Sequence, residues 1–147
     1  MKIKIGKYPD WRWYNTYLYK WFGYAPEQKK KIRIDPWDTW SMDCTLAEII
    51  LPMLLQLAKT KHGSPIVDEE DVPDWLHGDT EEDEQLIHDR WDWVMAEMIY
   101  AFDCKVNKEE PCVRFDFKTQ VEEMEAEQNR IQNGFRLFGK YYEGLWD

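Results

Sequence analysis

Toward the C-terminal end of the chain, Met124, Gln128, Ile131, Phe135, Phe138, Tyr142 and Leu145 recur at alternating intervals of four and three, the spacing that puts side chains on one stripe of a helix. A stripe with this many rings must be covered, so the fold has to supply a second apolar helix face or take one from another copy. Two further stripes are present. Ile87, Trp91, Val94, Met95, Met98 and Phe102 fall at threes and fours in a helix expected from about Glu84 to Cys104, with Asp89, Asp92 and Glu97 on its other side. Leu46, Ile49, Ile50, Met53, Leu54 and Leu57 form the third, in a helix that Asp38, Ser41 or Asp43 caps and that His62-Gly63-Ser64-Pro65 stops. Pro52 lies inside that helix and predicts a kink, because it removes a backbone hydrogen bond and crowds the carbonyl of Glu48. Gly134, Gly139 and Gly144 each weaken the last helix by about 1 kcal/mol relative to Ala, which packing has to offset.

Strand patterns are fewer and shorter. Lys2–Ile5 (KIKI) and Lys31–Asp35 (KIRID) alternate charged and apolar residues and are expected to pair with each other, and Cys112–Phe117 (CVRFDF) is a third candidate. Between the first two, Trp13, Tyr17 and Trp21 recur every fourth residue as on one helix face, with Gly23 and Pro26 as the stop. The fold class expected is α+β: about three major helices with a small, mainly antiparallel sheet of two to three short strands. At 147 residues the expectation is a single domain over 1–147.

Charge is unevenly distributed. Residues 1–34 hold nine Lys or Arg against Asp10 and Glu27, a balance of +7, which leaves −17 for the remainder of a chain whose net charge is −10. Ten acids fall between Asp68 and Glu84, and with Pro73 and Gly78 among them the stretch from about 66 to 84 is expected to be a solvated acidic loop. The most apolar stretch, Leu46 to Leu57, is broken by Glu48, Pro52 and Gln56, so no membrane span is expected. Cys44, Cys104 and Cys112 have neither the number nor the spacing of a disulfide framework or zinc knuckle.

The stretch RIDPWDTWSMDCTLAEIILPMLLQLAKTKHGSPIVDEEDVP, the later RWDWVMAEMIYAF and the terminal GFRLFGKYYEGLWD, about half of the chain, resemble a group of hypothetical proteins of tailed phages, mainly marine. The group has no assigned activity, ligand or catalytic residue, so the resemblance implies no site. It implies a phage accessory protein of the host-takeover or counter-defence kind, acting in the host cytoplasm; that step is analogy.

Several residue sets suit particular chemistries. Tryptophans near cations in an acidic chain suit a base with attached phosphate: Trp37, Trp40 and Trp91 would stack, while Arg33, Lys61, His62 and Arg90 would meet phosphates or other anions. The expected function is therefore non-enzymatic binding and sequestration of a nucleotide-like small molecule, with no cofactor. The aromatic segment around Trp11–Tyr24, upstream of Lys29–Lys31, has the elements of a stacking platform, although aromatic stripes at helical spacing are more often core. Two alternatives come from other classes. One is an interaction protein whose acidic run blocks a host nucleic-acid enzyme by mimicking DNA; the other is a metal-dependent hydrolase using His62, His77 or His88 with Asp79, Asp89 or Asp92, of which His88 and Asp92 sit one turn apart. No catalytic motif supports an enzyme. The net charge argues against direct nucleic-acid binding by the chain as a whole, no membrane partner is expected, and the C-terminal stripe leaves a homo-oligomer open.

Overall fold

In a computed structural model, residues 1–6, 13–24, 27–80, 83–107 and 117–146 are described. The elements run in the order β1 (Lys2–Ile5), α1 (Trp13–Phe22), β2 (Lys30–Arg33), α2 (Met42–Thr60), α3 (Glu84–Asn107) and α4 (Phe117–Lys140), with short 3-10 turns between and after them. The protein is mostly helical, with four α-helices and a two-stranded antiparallel sheet among the described residues. The additional helix is α1, which the every-fourth-residue spacing of Trp13, Tyr17 and Trp21 anticipates. The candidate strand at Cys112–Phe117 lies outside the described residues, except that Phe117 begins α4.

The residues fall into two compact units, Met1–Met42 and Asp43–Asp147. The first is built on the β1–β2 ribbon. Lys2 pairs with Arg33, Ile3 with Ile32, Lys4 with Lys31 and Ile5 with Lys30, and the Gly6 amide extends the ladder by donating to the Lys29 carbonyl at 2.9 Å. Helix α1 ends as its sequence predicts. Gly23 has a φ of 63°, and its amide donates to the Tyr19 carbonyl at 2.9 Å, a left-handed cap that a side-chain-bearing residue adopts only at a cost.

The second unit holds the hydrophobic core. Ala47, Leu51 and Leu54 of α2, Trp91, Val94, Met95, Met98 and Phe102 of α3, and Leu137 of α4 pack with Val67, Val72 and Leu76 from the acidic segment. The α3 stripe is buried as the periodicity predicts, with Ile87 half-buried at its start. On α2 the buried face is rotated from the expected one: Leu46 and Met53 are exposed, and Ala47, Ile50, Leu51, Leu54, Leu57 and Ala58 face the core. Apolar residues occur nearly all round this helix, so period alone admits two stripes. The helix runs through Pro52, which is on the exposed side.

Helix α4 packs along α3. Its apolar face is also shifted, toward Gly134, Leu137, Phe138 and Tyr141, leaving Met124 and Tyr142 exposed. Gly134 sets the distance between the helices, since a Cβ there would lie 2.5 Å from both the Ala101 Cβ and the Glu97 carbonyl oxygen. Phe102 receives Phe135 and Phe138 edge-on at 5.2 and 4.9 Å. Glu97, expected on the wet side of α3, is buried because Arg130 of α4 reaches it with two nitrogens at 3.0 and 2.7 Å.

The acidic segment is not a solvated loop throughout. Two 3-10 turns, Glu69–Asp71 and Asp74–Leu76, fold it onto the core. Asp71 is only 5% exposed; it accepts from the Tyr141 hydroxyl at 2.6 Å and meets Arg136 at 2.6 Å and Lys140 at 2.5 Å.

Candidate functional site

The Met1–Met42 unit is inverted relative to an ordinary globular layer. Of the described residues of α1, Asn15 is buried, while Trp13, Tyr14, Tyr17, Tyr19, Trp21 and Phe22 are exposed. The rings stand at the surface of their own unit. Those of Trp13, Tyr14, Tyr17, Trp21 and Phe22, with Leu18, line an open apolar groove of about 430 Å³. Exposed apolar surface of this extent marks an interaction site.

The ribbon presents a second feature. Side chains alternate between the faces of a strand, so the register puts Lys2, Lys4, Lys31 and Arg33 on one face and Ile3, Ile5, Ile32 and Lys30 on the other. Two like-charge pairs therefore stand directly opposite each other, Lys2 with Arg33 and Lys4 with Lys31, an arrangement that destabilises a sheet. At roughly 5 Å and in water each pair repels by about 0.8 kcal/mol, in a two-stranded ribbon that is marginal by itself. Among the described residues no carboxylate pairs with any of the four.

Beyond Arg33 the chain enters the 3-10 turn Pro36–Thr39. Asp35 caps it by accepting from the Trp37 amide at 3.2 Å, and Asp38 reaches back to accept from the Asp35 amide at 2.7 Å. Asp38 also binds the Met1 nitrogen at 2.6 Å, which fastens the Lys2–Arg33 end of the ribbon to the turn. That ammonium, followed by the Asp35 amide, holds the Asp38 carboxyl below its ordinary value. The turn displays Trp37 and Trp40, 77% and 84% exposed, with ring centroids 6.1 Å apart and planes tilted by 40°. The result is four cations and two accessible indoles joined by a short, doubly capped connection.

The seven expected ligand-binding residues divide between the units. Arg33, Trp37 and Trp40 belong to the first and are exposed. Lys61, His62, Arg90 and Trp91 belong to the second, where three of them have structural tasks. Trp91 is a core side chain, 1% exposed and edge-on to Tyr141 at 6.1 Å. Arg90 is buried and donates to the carbonyls of Leu76 and Gly78 at 2.8 and 3.0 Å while meeting Glu69 at 3.3 Å, so it staples the acidic segment to α3. Lys61 pairs with Asp92 at 2.6 Å, and His62 is exposed.

The same contacts bear on the other two chemistries considered. His88 takes Ser64 Oγ at 2.8 Å through Nδ1, Asp92 is held by Lys61, and His77 Nε2 lies 3.1 Å from the Val72 carbonyl. Among the described residues no three His, Cys, Asp or Glu side chains come together as a metal would require. Within the acidic run Lys140 meets Asp68, Glu70 and Asp71, Arg136 meets Asp71, and Arg90 meets Glu69, so its first four acids are paired within the chain. Trp75, in its middle, is exposed while Leu76 is buried.

A groove of about 450 Å³ also opens between α3 and α4, lined by Tyr100, Cys104, Met124, Glu127 and neighbours. No helix of the described residues is long and apolar enough to cross a membrane. Comparison with protein-family models, with curated proteins and with solved structures finds no match to this chain.

Sequence reasoning reached Arg33, Trp37 and Trp40 but passed over Lys2 and Lys4. The signal was present, since two strands that alternate Lys or Arg with Ile and pair antiparallel must gather their cations on one face. The Asp71–Arg136–Lys140–Tyr141 cluster had no such signal, because Asp71 is remote in sequence from the other three, about 70 residues from Tyr141, and is joined to them by tertiary packing alone.

Proposed function

We propose that this protein is a non-enzymatic accessory protein of the tailed-phage kind, acting in the host cytoplasm by binding and sequestering a nucleotide-like ligand on its Met1–Met42 unit. Trp37 and Trp40 stack on the base, and Arg33 meets the phosphate. One observation carries the reading: two indoles that a core would bury stand exposed as a pair, next to a strand end bearing an unpaired guanidinium. Indole faces gain about 1–3 kcal/mol from stacking on a base, and a guanidinium holds phosphate in a fork of donors. Lys61, Arg90 and Trp91 take no part, being committed to an ion pair, a loop staple and the core.

Isothermal titration calorimetry with purine and pyrimidine nucleoside mono- and triphosphates tests this. Binding is expected, and Trp37→Ala with Trp40→Ala is expected to weaken it at least tenfold. A panel that gives no heat with any nucleotide would exclude the reading.

A further inference from the structure

We infer that the ligand of this surface is a single-stranded nucleic acid, bound along the Lys2, Lys4, Lys31 and Arg33 face of the ribbon with bases stacked on Trp37 and Trp40. The inference rests on the reading above and deepens it, replacing a free nucleotide by a strand.

Four observations lead there. The first is number: one phosphate cluster is satisfied by Arg33, yet the ribbon gathers four cations on a single face, in two cross-strand pairs roughly 7 Å apart along the strands. A row of anions at intervals fits that row of cations; a mononucleotide does not reach it. The second is that the face is unmatched, with no carboxylate of the described residues pairing any of the four, so an external polyanion would relieve the repulsion across Lys2–Arg33 and Lys4–Lys31. The third is continuity: the Met1–Asp38 contact holds the Lys2–Arg33 end of the ribbon to the turn that displays the indoles, so cations and rings belong to adjoining parts of one unit. The fourth is openness. Small ligands bind in clefts that cover most of their surface, whereas the four cations and both indoles here are exposed, as in electrostatic tracks with stacking rings.

The net charge of −10 does not oppose this, because the charge is segregated: the Met1–Met42 unit carries +5 and the Asp43–Asp147 unit −15. At physiological ionic strength charges act over about 8 Å, so a strand responds to the face it touches. Base pairing hides the flat faces that the indoles need, which selects a single strand over a duplex.

The test is fluorescence anisotropy of the full chain with a labelled twelve-nucleotide oligo(dT), competed by thymidine 5′-monophosphate and by a duplex of equal length. The strand is expected to bind at least tenfold more tightly than either competitor. Four phosphate contacts give a log–log salt slope of about −2.8, or roughly 50-fold weaker binding at 200 mM than at 50 mM salt. Lys4→Gln with Lys31→Gln, which removes a repulsive pair and should leave the ribbon folded, is expected to reduce that slope by about 1.4. Equal affinity for strand and mononucleotide overturns the inference while leaving the proposed function standing; failure of both to bind overturns both. Salt-sensitive self-association in sedimentation velocity without strand binding also overturns it, assigning the face to the acids of a second copy.

Discussion

Tryptophan in this chain has two opposite uses, and the difference lies in the neighbours. Trp91 falls on a stripe with Val94, Met95, Met98 and Phe102, and that periodic context buries it. Trp37 and Trp40 fall in a capped turn that has no buried residue. Trp91→Ala is therefore expected to lower unfolding free energy by about 3–5 kcal/mol, and Trp37→Ala or Trp40→Ala to change it by no more than about 0.5 kcal/mol, as urea titration would measure. Asp71 carries the pH dependence. Burial alone would raise its carboxyl, but the bonds from Lys140, Tyr141 and Arg136 prevail and hold it below the ordinary value, while burial and then the Asp71 bond push Tyr141 up to about 12. A carboxyl depressed in the folded state contributes stability that is complete above its unfolded pKa and disappears as pH falls through the folded one. The urea midpoint should thus drop below about pH 4, and Asp71→Asn should lower the unfolding free energy near neutral pH by about 1–3 kcal/mol and flatten the acid limb; an unchanged acid limb would remove Asp71 from this role.

At the level of elements, glycine shows how sequence pattern and packing part company. By propensity Gly134 and Gly139 weaken α4 equally. In the fold they differ: a Cβ at 134 meets Ala101 and the Glu97 carbonyl at 2.5 Å, whereas one at 139 has nothing within 4 Å. Gly134→Ala is expected to destabilise by about 1–3 kcal/mol through overpacking and Gly139→Ala to stabilise by up to about 1 kcal/mol, opposite signs in the same urea assay. The existence and type of α1, α2, α3 and α4 were legible from the spacing of apolar residues, as was the pairing of Lys2–Ile5 with the following basic strand. Faces were less so. Leu46 against Ala47 on α2, and Tyr142 against Tyr141 after α4, are choices between adjacent stripes of similar hydrophobicity, decided by partners that no local pattern names. Glu97 is the same lesson for charge, since it reads as solvent-facing until Arg130, 33 residues away, is brought over it.

For the whole molecule, the quantity that composition reports most readily is the least informative. A net charge of −10 describes neither unit: one is basic with exposed aromatic rings, and the other is acidic with a conventional core. The run of charge along the chain did show the polarity, whereas the division at Met42 was not legible, because the residues around it, from Trp40 to Leu46, read as a continuous entry into a capped helix. The expected seven-residue site was drawn across that division and mixed core with surface. The proposed recognition surface rests on Arg33, Trp37 and Trp40, and indole N–H resonances report on it directly. In a ¹H–¹⁵N spectrum of the full chain titrated with a nucleoside monophosphate, the Trp37 and Trp40 indole signals should move together and saturate while that of Trp91 stays in place; a titration that leaves Trp37 and Trp40 unmoved, or that shifts Trp91 instead, would contradict the assignment of binding to the N-terminal unit.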